Sequence, residues 1–248
     1  MKFIFTTEMQ ADLLEVDKCF VKSLMPWWED LAVYVPQAQE DLGFQVLPAM
    51  VINAYSYVGL ERDLAIWLAN MFKTIYFASK IHVLIGDDQE GQTHNQELQF
   101  TILIGDYIFG RVLKLLIETH TDQLLHMFAS MICEINEGLI VKYKMEASVE
   151  EVLAQTRAPF YHGAFLSAAK MAGMVSDQAE IYGQIGKSLG MALELSLNEG
   201  EKAKGGIYLK EAEQLLERMT AEQLPGREGL MILIRMLGEE TGGSRDGL

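Results

Sequence analysis

Two neighbouring carboxylates, Asp87 and Asp88, stand at the end of a long apolar helical pattern. Charge in such surroundings is costly unless it is hydrated, paired or bound to metal. One chemistry follows directly: paired carboxylate oxygens suit a hard cation such as Mg²⁺, which can bridge to a diphosphate. The plainer reading is that the pair leads the chain out into solvent. Asp106 interrupts a second apolar segment, and Glu134 and Glu137 lie one helical turn apart. A di-iron bundle would pair such glutamates with Glu-x-x-His. The chain contains no Glu-x-x-His, so a solvated face is expected there.

Several other chemistries are excluded. There is no Gly-x-x-x-x-Gly-Lys loop to cradle phosphates. Gly183, Gly186 and Gly190 follow no strand, which argues against a dinucleotide site and for close helix packing or a cavity edge. The five histidines (82, 94, 120, 126 and 162) are scattered, and no nucleophile elbow is present. The two cysteines, Cys19 and Cys133, lie in apolar surroundings and read as buried thiols of a reducing compartment.

The elements that must position these residues are helical. The 248 residues are half hydrophobic with only 5 prolines, a composition that favours helices around a sizeable core. Helices are expected over 8–33 with a break near Pro26, over Pro48–Tyr57, and over 61–87, where Leu64, Trp67, Leu68, Met71, Ile75, Ser79, His82 and Val83 recur at three and four. Residues 89–97 read as a polar loop. Residues 98–118 are apolar on nearly all sides, which predicts a central helix. Helices follow over 122–144, from Ser148 with a capping box to Glu151, from Pro159 to Gly173, and over 177–197. After a loop at 199–206, two last helices cover 207–219 and 226–240. No strand alternation, repeat or linker appears. The expected fold is one all-α domain over 1–240 with a disordered tail over 241–248.

The net charge of −15 disfavours nucleic acid and anionic membrane surfaces. The segment Met1–Glu8 turns polar too quickly for a signal peptide, and no uninterrupted apolar run reaches the ~18 residues of a spanning helix. Residues 98–117 come nearest. The reading is a cytoplasmic protein with no transmembrane segment.

The order of segments resembles the trans-polyprenyl diphosphate synthases over roughly residues 40–238. Residues 43–48 (Gly-Phe-Gln-Val-Leu-Pro) stand where that family has Gly-Lys-Arg-x-Arg-Pro. Residues 77–91 look like the helix that ends in the first Asp-Asp-x-x-Asp motif. Residues 102–113, with Gly105-Asp106-Tyr107, are similar to the family's Gly-Asp-Tyr/Phe helix. Residues 182–194 match Tyr-Gly-x-x-Leu-Gly-x-Ala-Phe-Gln in spacing, and Tyr208–Ala212 fits the last helices. The resemblance implies an isoprenoid-synthase-like bundle of mostly antiparallel helices around a central hydrophobic cavity. In the family, residues four and five positions before the first aspartate gate product length, and these are Val83 and His82 here. Ser79, Val83 and Gly86 share one helical face with no large aromatic plug. Ser79, His82, Val83 and Gly86 are therefore the prenyl-cavity candidates, and Asp87 with Asp88 the Mg²⁺ candidates.

The departures are as informative. The family's isopentenyl diphosphate contacts fall on Phe44, Gln45 and Leu47, the last acid of the first motif on Gly91, its Lys-Thr pair near Tyr161 and His162, and its second aspartate motif on Leu197, Asn198 and Glu201. Residues 81–110 contain no Lys or Arg, and none of the arginines precedes Arg62. The pocket is thus expected to offer neither ammonium nor guanidinium groups. Losing one strong charge contact costs about 2–4 kcal/mol of transition-state stabilisation, or ~10²–10³ in rate. The resemblance is strongest, across Thr101–Tyr143, to the small, degenerate subunit of heterodimeric heptaprenyl diphosphate synthases, which make menaquinone side chains. It implies a non-catalytic chain that packs on a catalytic homologue and helps shape a channel for the prenyl diphosphate. Two alternatives remain open: a divergent prenyltransferase using Mg²⁺ at Asp87 and Asp88, and a prenyl-lipid-binding or regulatory homodimer.

Overall fold

The computed structural model describes residues 7–83, 96–144, 146–198 and 200–241. Gly86, Asp87 and Asp88 therefore lie outside the described residues, as do the polar stretch at 89–95 and the tail from residue 242. The described residues are helical and contain no strand. In chain order the helices are α1 (Thr7–Ser23), α2 (Trp28–Leu31), α3 (Val35–Gln39), α4 (Leu42–Tyr57), α5 (Arg62–Val83), α6 (Gln96–Glu118), α7 (Leu125–Lys144), α8 (Val149–Thr156), α9 (Ala158–Met171), α10 (Ser176–Ser196), α11 (Lys202–Glu217) and α12 (Arg227–Thr241).

The longest contacts run between neighbours in sequence: α4 with α5, α5 with α6, α9 with α10, and α10 with α11. Short connections between packed neighbours make an antiparallel bundle. α4 also packs on α9, and α1 covers α5, so α4, α5, α9 and α10 form the centre. Aromatic rings fill it. Phe20 meets Phe77 with centroids 5.3 Å apart, Tyr76 meets Phe160 at 4.9 Å, and Phe165 meets Tyr182 at 4.8 Å. Edge and tilted arrangements of this kind add to the burial of the rings themselves.

The glycines of α10 serve close packing. A Cβ at Gly186 would stand 2.5 Å from the Tyr161 carbonyl oxygen, and one at Gly190 would stand 2.2 Å from the Tyr161 ring. No side chain fits either place, so α9 and α10 approach backbone to backbone. The capping box at Ser148 is present: Glu151 N–H donates to Ser148 Oγ, and Ser148 N–H donates to the Glu151 carboxylate at 2.8 Å.

Four expectations are corrected. Helix α4 starts at Leu42, not Pro48, because Asp41 caps it and accepts from Gly43 N–H at 2.9 Å; Pro48 lies inside the helix. Helix α11 starts at Lys202, within the stretch read as a loop, where Lys204 pairs with Glu201 at 2.7 Å and with Glu150 at 3.1 Å. Cys133 is exposed and Cys19 half-buried, both as free thiols. Most consequentially, α6 is peripheral. It lies along α5 and leaves Phe100, Ile102, Leu103 and Ile117 exposed, Leu103 by 66% and Ile117 by 57%. A helix apolar on nearly all sides needs partners on nearly all sides, and among the described residues only α5 packs along much of its length, with α7 touching it briefly.

Among the described residues, one helical stretch, Asp122–Tyr143, is long and apolar enough to cross a membrane by length and composition, rather than 98–117. Glu134 and Glu137 lie within it and are exposed, and charge in hydrocarbon is costly.

Candidate functional site

One end of the bundle gathers the last turns of α5 and α10, the first residues of α4 and α9, and the last turn of α7. Ser79 and Val83 are there. They line a cavity of about 50 Å³ with Lys80, Ile135, Leu139, Lys142, Thr156 and Arg157. That volume suits a few water molecules. Ser79 is buried and donates to the Tyr76 carbonyl oxygen at 2.8 Å. Val83 also borders a second cavity of about 130 Å³, with Tyr34, Gln37, Ala38, Phe77, Lys80 and Ile81. His82 lies elsewhere. Its ring stacks on Phe109 of α6 at 5.6 Å and 12°, over Gly105, where a Cβ would stand 2.1 Å from His82 Nε2. Burial lowers the His82 pKa, opposed by the nearby charge of Asp106. The structure therefore brings Ser79 and Val83 together and separates His82 from them.

The expectation of a pocket without cations is overturned. Lys80, one residue before the stretch that lacks them, meets Arg157, which leads into α9. Both hold Asp41, the cap of α4. Arg157 Nη2 donates to Asp41 Oδ2 at 2.7 Å, and Lys80 Nζ pairs with the same oxygen. Tyr76 accepts from Arg157 Nη1 and donates to Asp41 Oδ1 at 2.8 Å. The side chains of Asp41, Arg157 and Lys80 are each about four-fifths buried, at 19%, 19% and 20% exposure. A second carboxylate, Glu194 of α10, is buried and accepts from Tyr161 at 2.8 Å.

The protonation states follow from these surroundings. Burial alone would raise the Asp41 carboxyl, but Arg157 and Lys80 outweigh it and hold it below its ordinary value. For Glu194 burial wins over the opposing charge of Arg157 and the Tyr161 hydrogen bond, and its pKa is raised. Burial and the neighbouring Glu194 push the Tyr161 hydroxyl well above its ordinary value.

These shifts predict opposite pH dependences. Asp41 contributes stability that is present above its unfolded value near 3.8 and is lost as pH falls through its lower folded value. Glu194 behaves in reverse: its contribution is full below 4.5 and is lost as pH rises through the raised folded value. Thermal melts from pH 4 to 8 should therefore show Glu194→Gln gaining on the wild type as pH rises. A stability difference constant over that range would show that Glu194 is unshifted.

The family positions read from the sequence serve packing here. Phe44 and Leu47 are buried, with Lys73 Nζ 4.7 Å over the Phe44 ring. Gln45 Nε2 donates to the Gln39 carbonyl oxygen at 2.7 Å. His162 Nε2 lies 3.2 Å from Glu180 Oε1. On the α10 side, Leu197 is apolar, Asn198 Nδ2 donates to the Glu194 carbonyl oxygen at 3.0 Å, and Glu201 is paired with Lys204. This donor set does not fit a magnesium ion, which takes several free oxygens in octahedral array. Among the described residues no group of three His, Cys, Asp or Glu could hold a metal.

No protein-family model matches the chain, and no curated protein matches it. Solved structures do. A decaprenyl diphosphate synthase from Rhodobacter capsulatus superimposes with a TM-score of 0.75 at 14% identity, over 95% of this chain and 98% of that one. A geranyl diphosphate synthase small subunit from Antirrhinum majus gives 0.68 at 18% identity, over 94% and 98%. A geranylgeranyl pyrophosphate synthetase from the archaeon Geoglobus acetivorans gives 0.70 at 15% identity, over 93% and 97%. The described helices, with the polar network at one end of the bundle, thus have the all-α fold of the prenyl diphosphate synthases, matched along nearly the whole chain.

Proposed function

We propose that this chain is a non-catalytic subunit of a two-component prenyl diphosphate synthase. The observation that carries the reading is the exposed apolar side chains of α6, Leu103 and Ile117 foremost. Leu103, Gly110 and Ile117 fall within about 40° of one another around the helix, and a Cβ at Gly110 would meet nothing within 4 Å. This strip is flanked by the exposed Asp106 and Lys114. Exposed surface of this kind marks an interaction site.

The end of the bundle that carries polar groups supports the non-catalytic half of the proposal. Ionising a diphosphate needs cations free to meet the leaving group. Lys80 and Arg157 are instead engaged by the chain's own Asp41, and the α10 side lacks a free carboxylate wall. The partner accordingly supplies the magnesium site and the chemistry. Small subunits exist on this fold: the Antirrhinum majus structure is one, and a mint geranyl pyrophosphate synthase of the same fold is heterotetrameric. The specific form suggested by residues 101–143 is the small subunit of a long-chain, heptaprenyl-type synthase serving menaquinone.

The test is to purify the chain alone and together with a full-motif prenyl synthase encoded by the same genome. Elongation of an allylic diphosphate should be absent with the chain alone. The mixture should form a stable complex whose activity or product length differs from that of the partner alone. Magnesium-dependent elongation by the isolated chain would overturn the proposal. So would a homodimer that ignores every synthase offered.

A further inference from the structure

Asp41 is held by donors from three separate parts of the chain. Oδ1 accepts from Gly43 N–H at 2.9 Å and from Tyr76 Oη at 2.8 Å; Oδ2 takes Arg157 Nη2 at 2.7 Å and Lys80 Nζ. An ionised carboxylate has about four lone-pair sites, so this one is saturated. The set is unusual for a helix cap, which ordinarily needs only backbone N–H groups. A guanidinium, an ammonium, a phenol and a backbone amide converging on one point are the groups that bind an oxyanion.

The donors and the acceptor are mounted differently. Tyr76 and Lys80 stand one turn apart on α5, where Tyr76 is buried against Phe160 and Phe44. Arg157 is fixed at the entry to α9. Asp41 sits on the bend between the five-residue α3 and the start of α4. Lys80 lines both of the cavities beside it, of about 50 and 130 Å³, and Arg157 lines the smaller. Space for a tetrahedral anion therefore adjoins the donors. Among the described residues, the other charges facing the group are Glu194 from α10, which opposes an anion, and Lys142 from α7, which lines the smaller cavity and favours one.

We propose that Lys80, Arg157 and Tyr76 form an oxyanion receptor kept filled by the tethered carboxylate of Asp41, and that the receptor takes a phosphoryl group once that carboxylate is removed or swung aside. Asp41 is thus an internal competitor. Its tethering gives it a high effective concentration, so free phosphate does not displace it from the resting chain. The inference does not depend on the partner subunit, because it concerns the isolated chain.

The experiment uses the full chain, Asp41→Ala and Asp41→Asn, titrated calorimetrically with inorganic phosphate and with pyrophosphate, and followed in parallel by thermal melts. Both variants should bind at least about tenfold more tightly than wild type, as expected when two buried cations lose their counter-ion. Either anion should also raise their melting temperatures while leaving that of the wild type unmoved. Adding Lys80→Met to Asp41→Ala should remove the gain. A preference for pyrophosphate would show that the adjoining cavities accept a second phosphoryl group; equal binding would confine the receptor to one. The proposal fails if folded variants bind neither anion, if wild type binds as tightly, or if the gain survives Lys80→Met. It also fails if neither variant folds even in high phosphate, since the anion would then not replace the carboxylate.

Discussion

Arg157→Met should lower the stability of the isolated chain by about 3–5 kcal/mol, the usual cost of leaving a buried charge without its partner. For a chain of this size that is a fall of roughly 6–20 °C in melting temperature. Of its two cations Asp41 would keep only Lys80, Tyr76 would lose the donor to its hydroxyl oxygen, and Glu194 would lose the stronger of the two cations that oppose its burial. The effect is large because one guanidinium serves residues of α5 and α10 and the cap of α4 together. Replacing Asp41, Arg157 and Glu194 jointly by Asn, Met and Gln should recover part of the loss, because buried ion pairs exchanged for neutral groups are often neutral in cost. Chemical denaturation of the three proteins, wild type included, checks both statements. A melting temperature for Arg157→Met within about 2 °C of wild type would mean that the network contributes less than 1 kcal/mol and is merely solvated.

The second large effect lies on the opposite kind of surface. Leu103→Asp and Ile117→Asp should each leave the melting temperature of the isolated chain within about 1–2 °C, since exposed substitutions usually stay within ±0.5 kcal/mol. Each should weaken assembly with the proposed catalytic partner by about 30-fold or more, the effect of losing a hot spot worth about 2 kcal/mol. Light scattering on the mixed subunits, with elongation activity measured on the same samples, separates the two readouts. Undiminished assembly in both variants would remove α6 from the interface. A matching fall in stability would show that the face is covered within the chain itself.

The two predictions concern features that differed sharply in how visible they were. The three-and-four spacing over 61–87, the Ser148 capping box and the helix-rich composition all act within a few residues, so the all-α class and most helix positions could be read directly. Pro48 misled because a proline ordinarily opens a helix, whereas the cap that sets the start of α4 is Asp41, whose side chain is held from α5 and α9. Residues 202–206 misled because two glycines lower local helix propensity, while pairing of Lys204 with Glu150 and Glu201 is a tertiary event. The apolar pattern of α6 misled in another way: it predicted a central helix, and the helix is peripheral. That several of its apolar side chains stay exposed could be seen only once its neighbours were placed in space.

What the sequence determined by itself was therefore short-range: the helices, the loss of cations at Phe44, Gln45 and Leu47, and the lack of an acidic wall at Leu197 and Asn198. What only the tertiary structure decided was that Asp41, Lys80 and Arg157 meet. They are separated by 39 and 77 positions along the chain, and no periodicity links them. Charge compensation in a low-dielectric interior depends on distances of a few ångströms, and those are set by how α4, α5 and α9 pack.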